Sequence, residues 1–138
     1  MGVCMGRERN TTKLIKISDR EFNDLVISSF SAVSRLHLSH LDNVAIVVED
    51  HPTKMQEESI GLSCNQLLFG LFEGVPKPKK SSYNVISIPD KITIFKYPIL
   101  MASKNKNELK NNIRNTLWHE IGHYFGLNHA QIHALEHK

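Results

Sequence analysis

The 138-residue sequence predicts a single α+β domain. Two observations lead to this prediction: apolar residues recur at helical spacing near both ends of the chain, and short apolar runs typical of strands lie between them. The predicted order is helix, strand, a short helix or loop, two strands and a final helix. We therefore expect the final helix to lie against a short sheet. Residues 1–12 are predicted to be flexible.

The first predicted helix spans residues 18–38. Ser18 precedes it and Glu21 follows three residues later, which is the pattern of a capping box. The apolar positions that then recur at helical spacing are Phe22, Leu25, Val26, Phe30, Val33 and Leu36. This spacing predicts an amphipathic helix that packs on the rest of the domain.

Three runs predict strands. "NVAIVVED" (43–50) is rich in β-branched residues and is predicted to be a buried strand, and "LLFGLFEG" (67–74) and "ITIFKYPI" (92–99) follow it. Prolines and lysines between the last two runs indicate a loop that joins neighbouring strands. Lys77, Lys79 and Lys80 are interpreted as a solvated part of that loop rather than a partner contact.

Composition limits the classes of function. The formal net charge of +3 is too small for the basic footprint of a nucleic-acid-binding domain. The sequence lacks the apolar core of a signal peptide and any apolar run of membrane-spanning length, and Cys4 and Cys64 show no CxxC spacing. We expect a cytoplasmic protein that is a monomer or weak dimer, without nucleic-acid or membrane partners.

The last helix carries the motif "HEIGHYFGLNH" at residues 119–129. Asn105 is the predicted N-cap, with Glu108 three residues on, and Gly126 follows the last turn near Phe125. Helical residues advance by about 100°, so His123 lies about 40° from His119 and one turn further along. The two imidazoles can therefore converge on one metal ion.

The other motif residues complete a catalytic pattern. Glu120 lies about 100° from His119, beside the metal position, where a general base for a metal-activated water belongs. Gly126 permits a turn that brings His129 back towards the same ion, and three protein ligands leave a position open for water. The apolar side, centred on Ile121, faces elsewhere, so we expect the histidines to face a cleft.

Chance does not readily produce this pattern. From the composition, about 0.03 occurrences of HExxH are expected, and the added Gly and His reduce this to roughly one in ten thousand. The alternative is a surface helix with incidental histidines. His37, His40 and His51 have no useful partner spacing and are interpreted as surface residues.

The motif resembles the extended zinc motif of metzincin-type metallopeptidases, and the wider chain resembles a group of small bacterial zincin-like metallopeptidases. "VAIVVED", "LLFGLFEGVP" and "IPDKITIFKYPI" are similar to strands of that group, and the likeness runs from about residue 18 to 130. The resemblance implies a minimal zincin fold, in which a short mixed β-sheet packs with two main helices. It also implies Zn²⁺ bound by His119 and His123, with Glu120 as base.

The sequence departs from these relatives in three places. The group often has an acidic residue where this chain has His129, although histidine is also a good zinc ligand. No methionine follows the motif, so a Met-turn is excluded, and only nine residues follow His129, so we expect no downstream lobe. Tyr124 and His133 are the candidates for oxyanion stabilisation, and His133 is also an alternative third ligand.

Three functions fit these residues. The first is a zinc peptidase that cleaves a peptide or protein substrate, which could add to an exposed sheet edge at 67–74 or 92–99. The second is a catalytically idle zinc-binding interaction module, and the third is a structural zinc site needed for folding. Intact Glu120 favours the first, because a non-catalytic site needs no carboxylate beside its metal.

Overall fold

The computed structural model describes residues 3–7, 14–37, 44–61, 66–74, 90–127, 130–131 and 134. The strands are β1 (Val3–Arg7), β2 (Val44–Glu49), β3 (Gln66–Glu73) and β4 (Asp90–Phe95). The helices are α1 (Asp19–His37), α2 (Lys54–Ser59), α3 (Lys96–Ala102) and α4 (Lys106–Tyr124). The described strands form one sheet in the order β1-β3-β4-β2, antiparallel except for the parallel pair of β2 and β4. The α+β prediction with a mixed sheet is confirmed.

Helix α1 begins and packs as predicted. The Ser18 hydroxyl accepts a hydrogen bond from the backbone N–H of Glu21 at 3.1 Å, which satisfies one donor of the first turn. Phe22, Val26 and Val33 are almost fully buried on its inner side. The carboxylate of Glu21 accepts a hydrogen bond from Lys106 of α4 at 2.9 Å, and α1 packs along α4.

The predicted strand at 92–99 is wrong in its second half, because β4 ends at Phe95 and α3 begins at Lys96. Pro98 lies in the first turn of α3, where a missing N–H removes no helical hydrogen bond. Ile99 and Leu100 are still buried, but from a helix. The eight-residue run fits the pattern of a buried strand and that of a buried helix, and periodicity alone does not distinguish the two.

Neither run named as a possible substrate edge forms an outer strand of the described sheet. Both β3 and β4 have a neighbour on each side, so within the described sheet the outer strands are β1 and β2. Strand β2, predicted to be buried, is mostly half-buried, as an outer strand is. Val3–Arg7, in the segment predicted to be flexible, forms β1 and pairs with β3.

The sheet buries apolar side chains on two faces. On the helix face, Phe69, Phe72, Ile92 and Ile94 join the main cluster with residues of α1, α3 and α4. On the other face, a smaller cluster contains Leu68, Leu71 and Phe95, with Ile60 packed against it. Burial on both faces explains why the β3 run contains almost no polar residues.

Strand β3 contains a bulge where it meets β1. Cys4 pairs with Gly70 and the next residue, Met5, pairs with Leu68, so Phe69 has no partner on β1. Phe69 lies in the helix-face cluster, and a Cβ on Gly70 would also point at α4. The bulge therefore places two consecutive residues under the helix.

Lys96 connects the start of α3 to α1. Its side chain is buried, it forms an ion pair with Asp19, and its Nζ lies 5.9 Å from the centroid of the Phe22 ring. The buried cation is thus neutralised by a carboxylate, as burial of a charge requires. In the part of the chain that the structure describes, no helix has the length and apolar character needed to cross a membrane.

Candidate metal centre

Helix α4 holds the motif rigidly from both ends. The side chain of its N-cap, Asn105, accepts a hydrogen bond from the backbone N–H of Glu108 at 2.9 Å. At the other end the N–H of Gly126 donates to His123 O at 2.9 Å, and that of Leu127 to Gly122 O at 3.0 Å. With Gly126 at φ 80°, this is a Schellman motif, so the chain leaves the helix where the sequence predicted.

His119 and His123 lie one turn apart on α4, as the spacing predicts. The side chain of His119 is buried, with 8% of its surface exposed, and His123 is half-buried. His119 Nδ1 and His123 Nε2 are both screened from solvent. Two imidazole donors on one stretch of helix are thus held in a largely dry environment.

Glu120 is fully buried between α4 and β3. Neither carboxylate oxygen meets a hydrogen-bond donor at standard geometry among the described residues. Burial raises the pKa of Glu120 from its ordinary 4.5 to about 8, and the backbone N–H of Phe72 on β3 offsets part of that rise. A buried carboxyl group with this pKa is a marker of functional sites rather than of surface helices.

The cleft predicted in front of the histidines stays a prediction, because most of the motif is buried among the described residues. Glu120 has no exposed surface, and His119 has little. The helix is buried on the β3 side as well as on the apolar side centred on Ile121, because β1, β3, β4 and α1 all pack against α4. His119 and Glu120 are therefore enclosed in this conformation, whereas His123 is half-buried.

The third predicted ligand is not among the described residues. His129 and the alternative His133 both lie outside them, and within the described residues no three metal-binding side chains converge. Tyr124, a predicted candidate for oxyanion stabilisation, has its ring in the core, with its centroid 5.9 Å from that of Phe72 in an edge-on arrangement.

Sequence reasoning missed the residues that hold Glu120 in place. A Cβ on Gly70 would lie 2.5 Å from Thr116 Cγ2, 3.2 Å from Thr93 O and 3.4 Å from Glu120 Cγ. Only glycine permits β3 to approach α4 so closely at this point. The signal was present in "LLFGLFEG", because an isolated glycine inside a strand pattern indicates a bulge or a close backbone approach.

The residues present fit zinc. Imidazole nitrogen is a preferred zinc donor, and His119 and His123 supply two such rings from adjacent turns. The buried Glu120 carboxyl group next to them meets no donor at standard hydrogen-bond geometry among the described residues, although the Phe72 N–H lies near enough to lower its pKa, as expected of a group that acts on a bound ligand.

Together the mixed sheet and the HExxH helix packed on it define an α+β metallopeptidase-type fold. A model of the zincin-like metallopeptidase family matches residues 41–138, which include β2, β3, β4 and the whole of α4. The chain belongs to the zincin-like metallopeptidase family. Members of this class usually use zinc, and family membership supports a peptidase-type hydrolase. A search of curated proteins found no match.

Proposed function

We propose that this protein is a zinc-dependent peptidase whose zinc is held by His119, His123 and His129, with Glu120 as general base. The observation that supports the proposal most directly is the buried carboxyl group of Glu120 on the same helical turns as two imidazoles. A structural zinc site requires donors but no buried acid with a raised pKa beside them.

Each side chain has a distinct task. The histidines would hold the metal through neutral imidazole nitrogens, and α4, which is capped at both ends, sets the separation of His119 and His123. Zinc, when bound, supplies Lewis acidity towards a water molecule and the scissile carbonyl. The Glu120 carboxylate would take up a proton from the attacking water and return it to the nitrogen of the leaving amine.

The environment of Glu120 suits proton transfer. A general base works best when its pKa lies near the working pH; burial raises the pKa of the metal-free Glu120 carboxyl group, and a zinc ion held by the neighbouring histidines would lower it again. Strand β3 lies close to α4 at Gly70, where an added Cβ would come within 3.4 Å of Glu120 Cγ, so little space is left for the Glu120 side chain to move on that side.

The proposal is tested with two substitutions and two readouts. Elemental analysis of purified protein should give about one zinc per chain, and His123→Ala should lower that content strongly because it removes a ligand. Glu120→Gln should retain zinc and lose about a hundred-fold or more of the rate of casein hydrolysis, since general-base catalysis contributes factors of that size. Absence of zinc from reconstituted wild-type protein would overturn the proposal.

A second candidate is a catalytically idle zinc-binding interaction module, and the complete burial of Glu120 favours it. A base with no exposed surface cannot reach a substrate in this conformation. The same Glu120→Gln variant separates the two functions. Zinc retention is expected in both cases, but only a peptidase loses hydrolysis, and an idle module shows none in either protein.

A further inference from the structure

Strand β1 occupies the outer edge of β3. It runs antiparallel to β3, from Val3 opposite Leu71 to Arg7 opposite Gln66. The family match begins at residue 41, so β1 lies outside the matched part of the chain. Without β1, the described sheet has the order β3-β4-β2, and β3 becomes an edge strand.

The covered edge lies beside the proposed general base. Gly70 of β3 is the residue whose Cβ would come within 3.4 Å of Glu120 Cγ, and the backbone N–H of Phe72 lowers the pKa of the same carboxyl group. Helix α4 packs against β1 as well as β3. A chain segment in the position of β1 therefore passes alongside both the proposed catalytic helix and the strand that holds its base.

The pairing of β1 is short and interrupted. Only five residues of β1 pair with β3, and the register shifts between Cys4 and Met5, opposite the bulge at Phe69. An isolated pairing of this length adds little stability, and a bulge disrupts the ladder further. The segment is thus suited to exchange with another extended chain.

We propose that Val3–Arg7 is an internal inhibitory strand, which occupies the β3 edge on which an extended substrate peptide aligns. Extended peptides bind exposed sheet edges through main-chain hydrogen bonds, and β1 already uses those of β3. The enclosed state of Glu120 is then the closed form of the protein. This inference rests on the proposed peptidase function.

Proline pairs in the full-length chain provide a first test. Successive N–H groups of a strand point to opposite sides, so either Val3 and Met5 or Cys4 and Gly6 direct theirs at β3. Two double variants are compared: Val3→Pro with Met5→Pro, and Cys4→Pro with Gly6→Pro. The one whose N–H groups point away from β3 is the control for the other. One double variant, and not the other, should raise kcat/KM for fluorescent casein by about ten-fold, as expected when a closed state favoured by about ten to one is lost.

A cleavable chain avoids the risk that proline disturbs folding. Residues 8–13 are replaced by the recognition sequence of a site-specific protease, and the protein is cut only after it has folded and bound zinc. Hydrolysis should increase after cutting and removal of the fragment. A synthetic peptide of residues 1–9 with Cys4→Ser, which cannot chelate zinc through a thiol, should then raise KM without changing kcat. Equal rates before and after cutting, with both proline variants at the wild-type rate, would overturn the inhibitory strand and leave the peptidase intact.

Binding without turnover separates the two proposals. In a Glu120→Gln background, the fluorescein-labelled 1–9 peptide with Cys4→Ser should increase its anisotropy with the cut protein and not with the uncut protein. If this binding occurs while no form hydrolyses casein, the edge is a docking site and the peptidase proposal fails. If the peptide binds neither form, the inhibitory strand is refuted whatever the hydrolysis assay shows.

Discussion

Helices α1 and α4 have the same length, 19 residues, and each begins with a side-chain oxygen that accepts from the N–H three residues later. They differ in what they bury. Among the side chains of α1 that the structure describes, Phe22, Val26 and Val33 are buried and most of the others, including Ile27, are exposed. Helix α4 buries nine residues, among them His119 and Glu120.

This difference indicates that α1 supports the fold, whereas α4 also carries functional side chains. A helix on the outside of a domain needs only one apolar face, which α1 supplies. Burial of a carboxyl group without a good donor destabilises the fold, so its presence on α4 indicates a role other than packing. The predictions below test this contrast, from the largest expected effect to the smallest.

The apolar face of α4 should contribute most to stability. Ile113 is fully buried, and Ile113→Ala should lower the free energy of unfolding by about 2–5 kcal/mol through lost burial and a residual cavity. On α1, Ile27 is 63% exposed, so Ile27→Ala should change the free energy of unfolding by less than about 0.5 kcal/mol. Urea unfolding followed by circular dichroism measures both. Similar losses would show that the helices do not differ as described.

The buried acid on α4 should make stability depend on pH. The native pKa of Glu120, about 8, lies above its ordinary value of 4.5, so the native state binds the extra proton. Its contribution to stability is complete below pH 4.5 and is lost as pH rises through 8. Relative to Glu120→Gln, metal-free wild type should therefore lose about 2–3 kcal/mol between pH 5 and pH 7.

Urea unfolding in the presence of a chelator measures that difference at each pH. Substitution of the half-buried Glu108 on the same helix by Gln is a control for the removal of one carboxyl group from α4. A constant difference between wild type and Glu120→Gln across this range would contradict the raised pKa.

The contact between β3 and α4 should tolerate a methyl group only if another is removed. Gly70→Ala places Cβ 2.5 Å from Thr116 Cγ2 and should lower the free energy of unfolding by about 1–3 kcal/mol. Thr116→Ser removes that methyl and keeps the hydroxyl that donates to Asn112 O. The double variant should recover about 1 kcal/mol relative to the sum of the single effects. If the effects of the two substitutions simply add, the steric conflict of the new methyl group is not with Thr116.

Loss of the N-cap side chain should cost about the same stability at α1 and at α4. Asn105→Ala and Ser18→Ala each remove one hydrogen bond to an N–H of the first turn, so each should cost about 1 kcal/mol. Thermal melts of the two variants measure this. A much larger cost at Asn105 alone would mean that the start of α4 also supports the motif at its other end.

Much of the fold could be predicted because local patterns and tertiary packing agree. The caps at Ser18, Asn105 and Gly126 are chemical requirements of helix ends, and the structure places each where expected. The errors lie where a local pattern was ambiguous. Phe95 to Ile99 fitted both a strand and a helix, and Val3–Arg7 had no pattern that distinguished it from a loop.

The sequence by itself determined the proposed chemistry: which side chains could hold zinc, which could accept a proton, and which turn of which helix presents them. That is so because helical geometry fixes the relation between residues three and four apart. Tertiary structure alone decided that Glu120 is buried against β3 at Gly70, and that β1 covers the edge beside it. Both depend on contacts between distant parts of the chain, which periodicity does not encode.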